Sequence, residues 1–239
     1  MIEVSNRTSD AFENEGKRAY RARHLEVLRE QAPELWTDDP PGRLRGAWLE
    51  LMGSTGWRTL ELLTGTAVLS PSSFVGADLD HDRIDDYRRR YPDARWLAGD
   101  VLDHVESPEL HDVSVIHFDG YEAAGSAKFD HVGEQLGVVL RRAVARHGAA
   151  ALLVNSDLDA TRLHGLEPPA ALRRQATTLA AVIAGAGIAR REVTPETLLA
   201  PGAEKAVAAR GFVGLLGAFE IYRGKATGHR MACCRVILR

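Results

Sequence analysis

The sequence predicts an α/β protein. It should hold a doubly wound, mostly parallel sheet, an antiparallel hairpin at the C-terminal end and a helical N-terminal extension. Two stretches predict this. From Trp57 to Asp100 the chain carries three short apolar runs, punctuated by Glu61 inside the first, Asp78 after the second and Asp100 after the third. Such runs fit buried strands. Between the second and third, Ile84, Tyr87 and Tyr91 recur at helical spacing amid charge, and Pro92 stops the helix. Strand, helix and strand within about thirty residues make a βαβ unit with a right-handed crossover. At the other end, Phe212 to Tyr222 and Met231 to Leu238 are strand-like runs joined by Arg223-Gly224-Lys225-Ala226-Thr227-Gly228, which reads as a hairpin.

The elements follow in order. Residues 1–15 are polar. Ala19 to Glu30 reads as a helix with Leu25 and Leu28 apolar, and the basic run Lys17, Arg18, Arg21, Arg23 and His24 overlaps it. That run is either a solvated face or, with Tyr20 among the cations, an arm that contacts phosphate or nucleic acid. Thr37 to Gly42 is a turn cluster. Arg43 to Met52 is expected as a second helix, since Leu44, Trp48 and Leu51 fall at i, i+4 and i+7, with Gly53 as its cap. Residues 1–56 then form the helical extension and 57–239 the sheet domain. After Asp100, Val101 to Leu110 is a short crossover broken by Pro108, and Val113 to Asp119 is a fourth strand. Val132 to Arg146 is an amphipathic helix with Arg141, Arg142 and Arg146 late, which suits the helix dipole. Ala149 to Val154 is a fifth strand, and a helix from Pro168 runs to about Ala184.

Composition narrows the function. The chain has 239 residues, 45% hydrophobic and 26% charged, with a net charge of −3. These values suit a globular protein and offer no global electrostatic case for nucleic acid. No apolar run approaches the roughly 20 residues of a membrane span. The N-terminus lacks a signal pattern. Cys233 and Cys234 are adjacent in an apolar run. Reduced, partly buried thiols fit them best, so a cytoplasmic location and no membrane partner are expected.

Acids at successive strand ends suggest a ligand. In open parallel sheets ligands bind outside the carboxyl ends of the strands. A carboxylate there can accept both hydroxyls of a ribose, and a second, one strand further out, can take an exocyclic amine. Together they describe a pocket for an adenosine-like ligand.

The stretch resembles the cofactor half of the class I S-adenosylmethionine-dependent methyltransferases, a Rossmann-like family. Leu60-Glu61-Leu62-Leu63-Thr64-Gly65-Thr66-Ala67 is similar to the first motif, an acid followed by glycines at every second position. Here Leu63 and Ala67 replace two glycines and Gly65 remains. Val75-Gly76-Ala77-Asp78-Leu79-Asp80 resembles the end of the second strand, Gly99-Asp100-Val101 the adenine-side motif, and Ile116-His117-Phe118-Asp119 the fourth. The resemblance implies S-adenosylmethionine as cofactor. It implies a cofactor site with Glu61, Leu63 and Gly65 near the methionine end, Asp78 and Leu79 at the ribose, Asp100 and Val101 at the adenine, and Asp119 as a further cofactor-binding residue. It implies a methyltransferase with a small-molecule acceptor favoured. The replaced glycines leave a degenerate, non-catalytic binding or scaffold subunit as the alternative.

For catalysis, Asp119 with Tyr121 is similar to the loop of amino-group methyltransferases, in which oxygens accept from the target amine and a ring stacks on a base. Asp119 with Asn155 and Asp157 bears a weaker similarity to metal-dependent O-methyltransferases, and no metal site is expected. His117, inside a strand, reads as a core histidine. Asp80 and Asp82 read as helix caps. A dinucleotide-binding protein is disfavoured, because no G-x-G-x-x-G opens a helix after the first strand.

Overall fold

The computed structural model describes residues 15–51, 56–120, 127–157, 168–187, 194–200, 213–223 and 230–239. Helix α1 (Glu15–Gln31) comes first. A 3-10 turn at Pro33–Leu35 leads into a small antiparallel hairpin, β1 (Trp36–Asp38) and β2 (Pro41–Leu44), built on the expected turn cluster. The main sheet then starts earlier than the sequence reading placed it. Strand β3 (Ala47–Leu51) is its centre, and all five of its residues are buried. Helix α2 (Trp57–Gly65) follows.

This corrects two readings. The helix expected over Arg43 to Met52 does not form: the chain turns at Gly46, with φ +81, and a Cβ there would press on the Asp112 carbonyl oxygen. The strand and glycine loop expected over Trp57 to Ala67 is a helix, with Trp57, Leu60 and Leu63 buried along one face. Glu61, Leu63 and Gly65 therefore sit on a helix rather than at a strand end. The central strand lies within residues 1–56, the stretch expected as a helical extension.

The remaining elements are β4 (Phe74–Asp78), α3 (His81–Arg90), β5 (Arg95–Ala98), two 3-10 turns at Val101–His104 and Pro108–Leu110, β6 (Val113–Gly120), α4 (Ala127–His147), β7 (Ala150–Asp157), α5 (Pro168–Gly185), α6 (Pro195–Leu199), β8 (Val213–Arg223) and β9 (Arg230–Leu238). Seven strands form one sheet in the order β5-β4-β3-β6-β7-β9-β8. The first five run parallel, and β9 and β8 close the sheet as an antiparallel pair. Counted from β3, this is the doubly wound order with an antiparallel strand inserted before the last. The fold is Rossmann-like, as the sequence predicts.

Helices α1, α2 and α3 cover one face, where Leu28, Leu63 and Ile84 pack against Trp48, Phe74 and Val115. Helices α4 and α5 cover the other, where Leu140 and Val182 pack near Leu49, Ile116 and Leu152. α4 and α5 approach closely at glycines: a Cβ on Gly137 would reach the Val182 carbonyl and lie 2.6 Å from the Ala186 nitrogen. Among the described residues, no helix is long and apolar enough to cross a membrane.

Candidate functional site

The direction of winding reverses between β3 and β6. From β3 the chain adds β4 and β5 on one side, then returns to add β6 and β7 on the other. In such sheets the ligand crevice lies beyond the carboxyl ends at this switch point. Segments 52–55 and 121–126 leave those two ends and lie outside the described residues, Tyr121 among them.

Asp78 ends β4 with its side chain only 8% exposed. Its Oδ1 accepts the Asp80 N–H at 2.9 Å, and its Oδ2 accepts from Arg83 Nη1 at 2.7 Å. Burial acts to lower the Arg83 pKa, but the adjacent Asp78 and Asp80 carboxylates outweigh it, so the guanidinium sits above its ordinary value. Asp80 is the cap expected of it: its Oδ1 accepts the Arg83 N–H and opens α3. Leu79 is 66% exposed. An isolated exposed leucine is ordinary, but this one stands at the ligand edge of the sheet.

One strand outward, Gly99 adopts φ +98 and donates its N–H to the Asp78 carbonyl at 3.0 Å. Asp100 follows, half-buried, and its Oδ1 accepts the Leu102 N–H at 3.0 Å, capping the first 3-10 turn. Val101 is buried beneath it. The fold thus brings Asp78 and Asp100 to the ends of adjacent strands, since Asp78 pairs with Ala98. Asp119 lies near the end of β6, in register with Asn155 on β7, and Asp157 ends β7. The side chains of Asp119 and Asp157 are not among the described ones.

The first-motif residues are elsewhere. Glu61 is exposed on α2 and accepts from Arg58 Nη1 and from the Tyr91 hydroxyl, each at 3.0 Å. Burial, then the Glu61 hydrogen bond, pushes the Tyr91 phenol up to about 12. Leu63 is fully buried in the core, and Gly65 ends the helix. The acid that does lie on the central strand is Glu50, which the sequence reading passed over. The chain writes Leu-Glu-Leu twice, at 49–51 and 60–62, and glycines Gly53 and Gly56 follow the first copy. Six residues between Gly46 and Gly53, apolar apart from Glu50, were the available signal.

Glu50 is fully buried and fully engaged. It accepts from Trp48 Nε1 at 2.8 Å, from Thr59 Oγ1 at 3.0 Å and from His117 Nδ1 at 2.8 and 2.9 Å. Helix α1 closes over this cluster. Tyr20, Arg21 and His24 are buried, with the His24 ring 5.2 Å from that of His117. Arg235 on β9 donates to His24 Nδ1 at 2.8 Å. Arg21 therefore faces inward and is not presented to phosphate, whereas Arg18 and Arg23 are exposed.

No protein-family model matches the sequence, and no curated protein matches it. Among solved structures, a TehB-like SAM-dependent methyltransferase from Corynebacterium glutamicum is similar at 15% identity and a TM-score of 0.36, over 92% of this chain and 97% of that one. The CMeT domain of the citrinin polyketide synthase is similar at 16% identity and a TM-score of 0.41, over 80% of this chain and 46% of that one. A Zn-dependent alcohol dehydrogenase from Rhodobacter sphaeroides is similar at 15% identity and a TM-score of 0.37, over 82% of this chain and 85% of that one. This chain spans less than half the length of the polyketide synthase structure. Likenesses this low do not bear on function.

Proposed function

We propose that the chain is an S-adenosylmethionine-dependent methyltransferase acting on a small molecule. One observation carries the reading. Beside a switch point, two adjacent parallel strands end in Asp78 and in Gly99-Asp100, with Leu79 exposed directly after Asp78. An acid for a ribose diol, an apolar surface for a base and an acid for its amine suit an adenosine group. Glu50 followed by Gly53 and Gly56 takes the part first assigned to Glu61 and Gly65. Glycines there let the backbone approach a ligand.

The bound cofactor supplies an activated methyl group, so the protein's task is alignment and exclusion of water. Asp78 and Asp100 hold the nucleoside, Leu79 and Val101 bound it, and Asp119 and Tyr121 are assigned to the acceptor by the resemblance. The test is a crystal grown with S-adenosylhomocysteine. Density for the nucleoside between Asp78 and Asp100 is expected, and density elsewhere or none removes the reading.

A second reading has its own observation. Asp78 already holds Arg83. A chain that had lost cofactor binding and served as a binding subunit would keep such a pair, and it would leave that crystal empty.

A further inference from the structure

The amino ends of β4 and β5, opposite the crevice, border a cleft that the methyl-transfer reading does not use. Helix α2 ends there at Gly65 and helix α3 at Arg90, before their strands begin at Phe74 and Arg95. The cleft holds about 160 Å3. Leu60, Glu61 and Thr64 line it from α2, and Arg90, Tyr91 and Asp93 from the end of α3 and the turn beyond. Sites for drug-sized molecules run from roughly 300 Å3 upward, so this one suits a small metabolite rather than a nucleotide.

Its charged groups are not spent on one another. Arg88 and Arg89 each pair with an aspartate three residues back, Asp85 and Asp86. Three residues before Arg90 stands Tyr87, so Arg90 has no such partner on the helix. Among the described residues it makes no ion pair or hydrogen bond, and two rings hold it instead. Its Cζ lies 5.2 Å from the Trp57 ring centroid and 5.9 Å from that of Tyr91. Such a hold places the guanidinium and leaves its N–H groups for a ligand. Glu61 is fixed by two donors, Arg58 on Oε2 and the Tyr91 hydroxyl on Oε1, each at 3.0 Å. A carboxylate has about four lone-pair sites, so acceptor capacity remains. Asp93 is exposed and, among the described residues, has neither hydrogen bond nor ion pair. The Thr64 hydroxyl donates to the Leu60 carbonyl at 2.8 Å and keeps its own acceptor pairs.

We propose that this cleft binds a free aliphatic α-amino acid. The ligand carboxylate pairs with the planar fork of Arg90. The ammonium group has three N–H donors, which Glu61, Asp93 and Thr64 accept. The side chain lies against Leu60, Pro71 and the Tyr91 ring. The charges select a zwitterion. An amine alone leaves Arg90 without an anion, and a carboxylate alone sits beside Glu61 and Asp93 with no cation for them. The site is separate from the crevice at Asp78 and does not depend on the methyl-transfer reading.

The test is calorimetry on the full chain with L-leucine and with two analogues that each lack one charged group, isoamylamine and isocaproate. L-leucine should bind one to one, and each analogue roughly tenfold or more weaker. Arg90→Gln and Asp93→Asn, both at exposed positions, should each weaken L-leucine by roughly the same factor. Asp78→Ala should leave it unchanged. No saturable binding of L-leucine, or an analogue that binds as tightly, overturns the proposal. So does L-leucine binding that Asp78→Ala abolishes, because that places the amino acid in the crevice. The comparison of ligands needs only the parent chain, so it decides even where a variant fails to fold. Failure to bind S-adenosylhomocysteine removes the methyl-transfer reading and leaves this proposal standing.

Discussion

Arg83 Nη1, in the first turn of α3, donates to Asp78 Oδ2 at the end of β4 at 2.7 Å, so the acid proposed to meet a ribose already holds a cation. The two uses are compatible. An ionised carboxylate offers about four lone-pair sites, and the Asp80 N–H and Arg83 occupy two of them. Arg83→Gln should therefore leave S-adenosylhomocysteine affinity within roughly threefold, because open acceptor sites remain on Asp78. Asp78→Ala should weaken it by about 1.5–3 kcal/mol for each charge-assisted bond lost. Calorimetry on both variants decides. A large gain in Arg83→Gln would mean that the ion pair blocks the site.

Leu63 tests the reassignment of the first motif. It is fully buried against the sheet, on a helix. Leu63→Ala should cost about 2–5 kcal/mol of stability and leave cofactor affinity in the folded protein unchanged. Urea unfolding and a binding titration separate the two effects. Lost affinity at full stability would return Leu63 to the pocket.

Ala67 closes α2 in the left-handed region, at φ 56, while the Val68 N–H bonds back to the Leu63 carbonyl at 2.8 Å. Glycine is the usual residue at such a position. Ala67→Gly should stabilise by about 1 kcal/mol or be neutral, since relief of the left-handed strain is opposed by added freedom in the unfolded chain. A clear loss in the urea midpoint would show that the side chain packs usefully there.

Burial pushes the Tyr87 phenol up from 10.0 to about 12, under a stacked Trp96 ring 5.2 Å away. The folded chain keeps this proton where the unfolded chain releases it. The resulting stability is fully present below pH 10 and is lost as pH rises toward about 12. Tyr87→Phe should flatten the fall in unfolding midpoint over that range. Tyr91, also raised to about 12, leaves a residual slope. Equal slopes in parent and variant would contradict the shift.

Much of the fold was legible because its signals are local. The Asp80 cap, the Ile84 and Tyr87 face of α3, the apolar Ala150–Val154 stretch of β7 and the terminal hairpin carry their own periodicity or punctuation. The central strand was not. Ala47–Leu51 contains a charged residue, and Leu44, Trp48 and Leu51 mimic helical spacing. Of the partners that make Glu50 tolerable inside the sheet, Trp48 and Thr59 are near in sequence but His117 is 67 residues away and is brought to it only by the fold. The burial of His24 was hidden for the same reason: its partner Arg235, on β9, lies 211 residues away. Asp78 and Asp100 were legible as strand-end acids. Their pairing on adjacent strands needed the sheet order.

The most direct test of the account is a calorimetric titration of the full chain with S-adenosylhomocysteine. Saturable one-to-one binding is predicted, weakened about tenfold or more by Asp78→Ala and hardly changed by Leu63→Ala. A folded parent protein that shows no binding would contradict it.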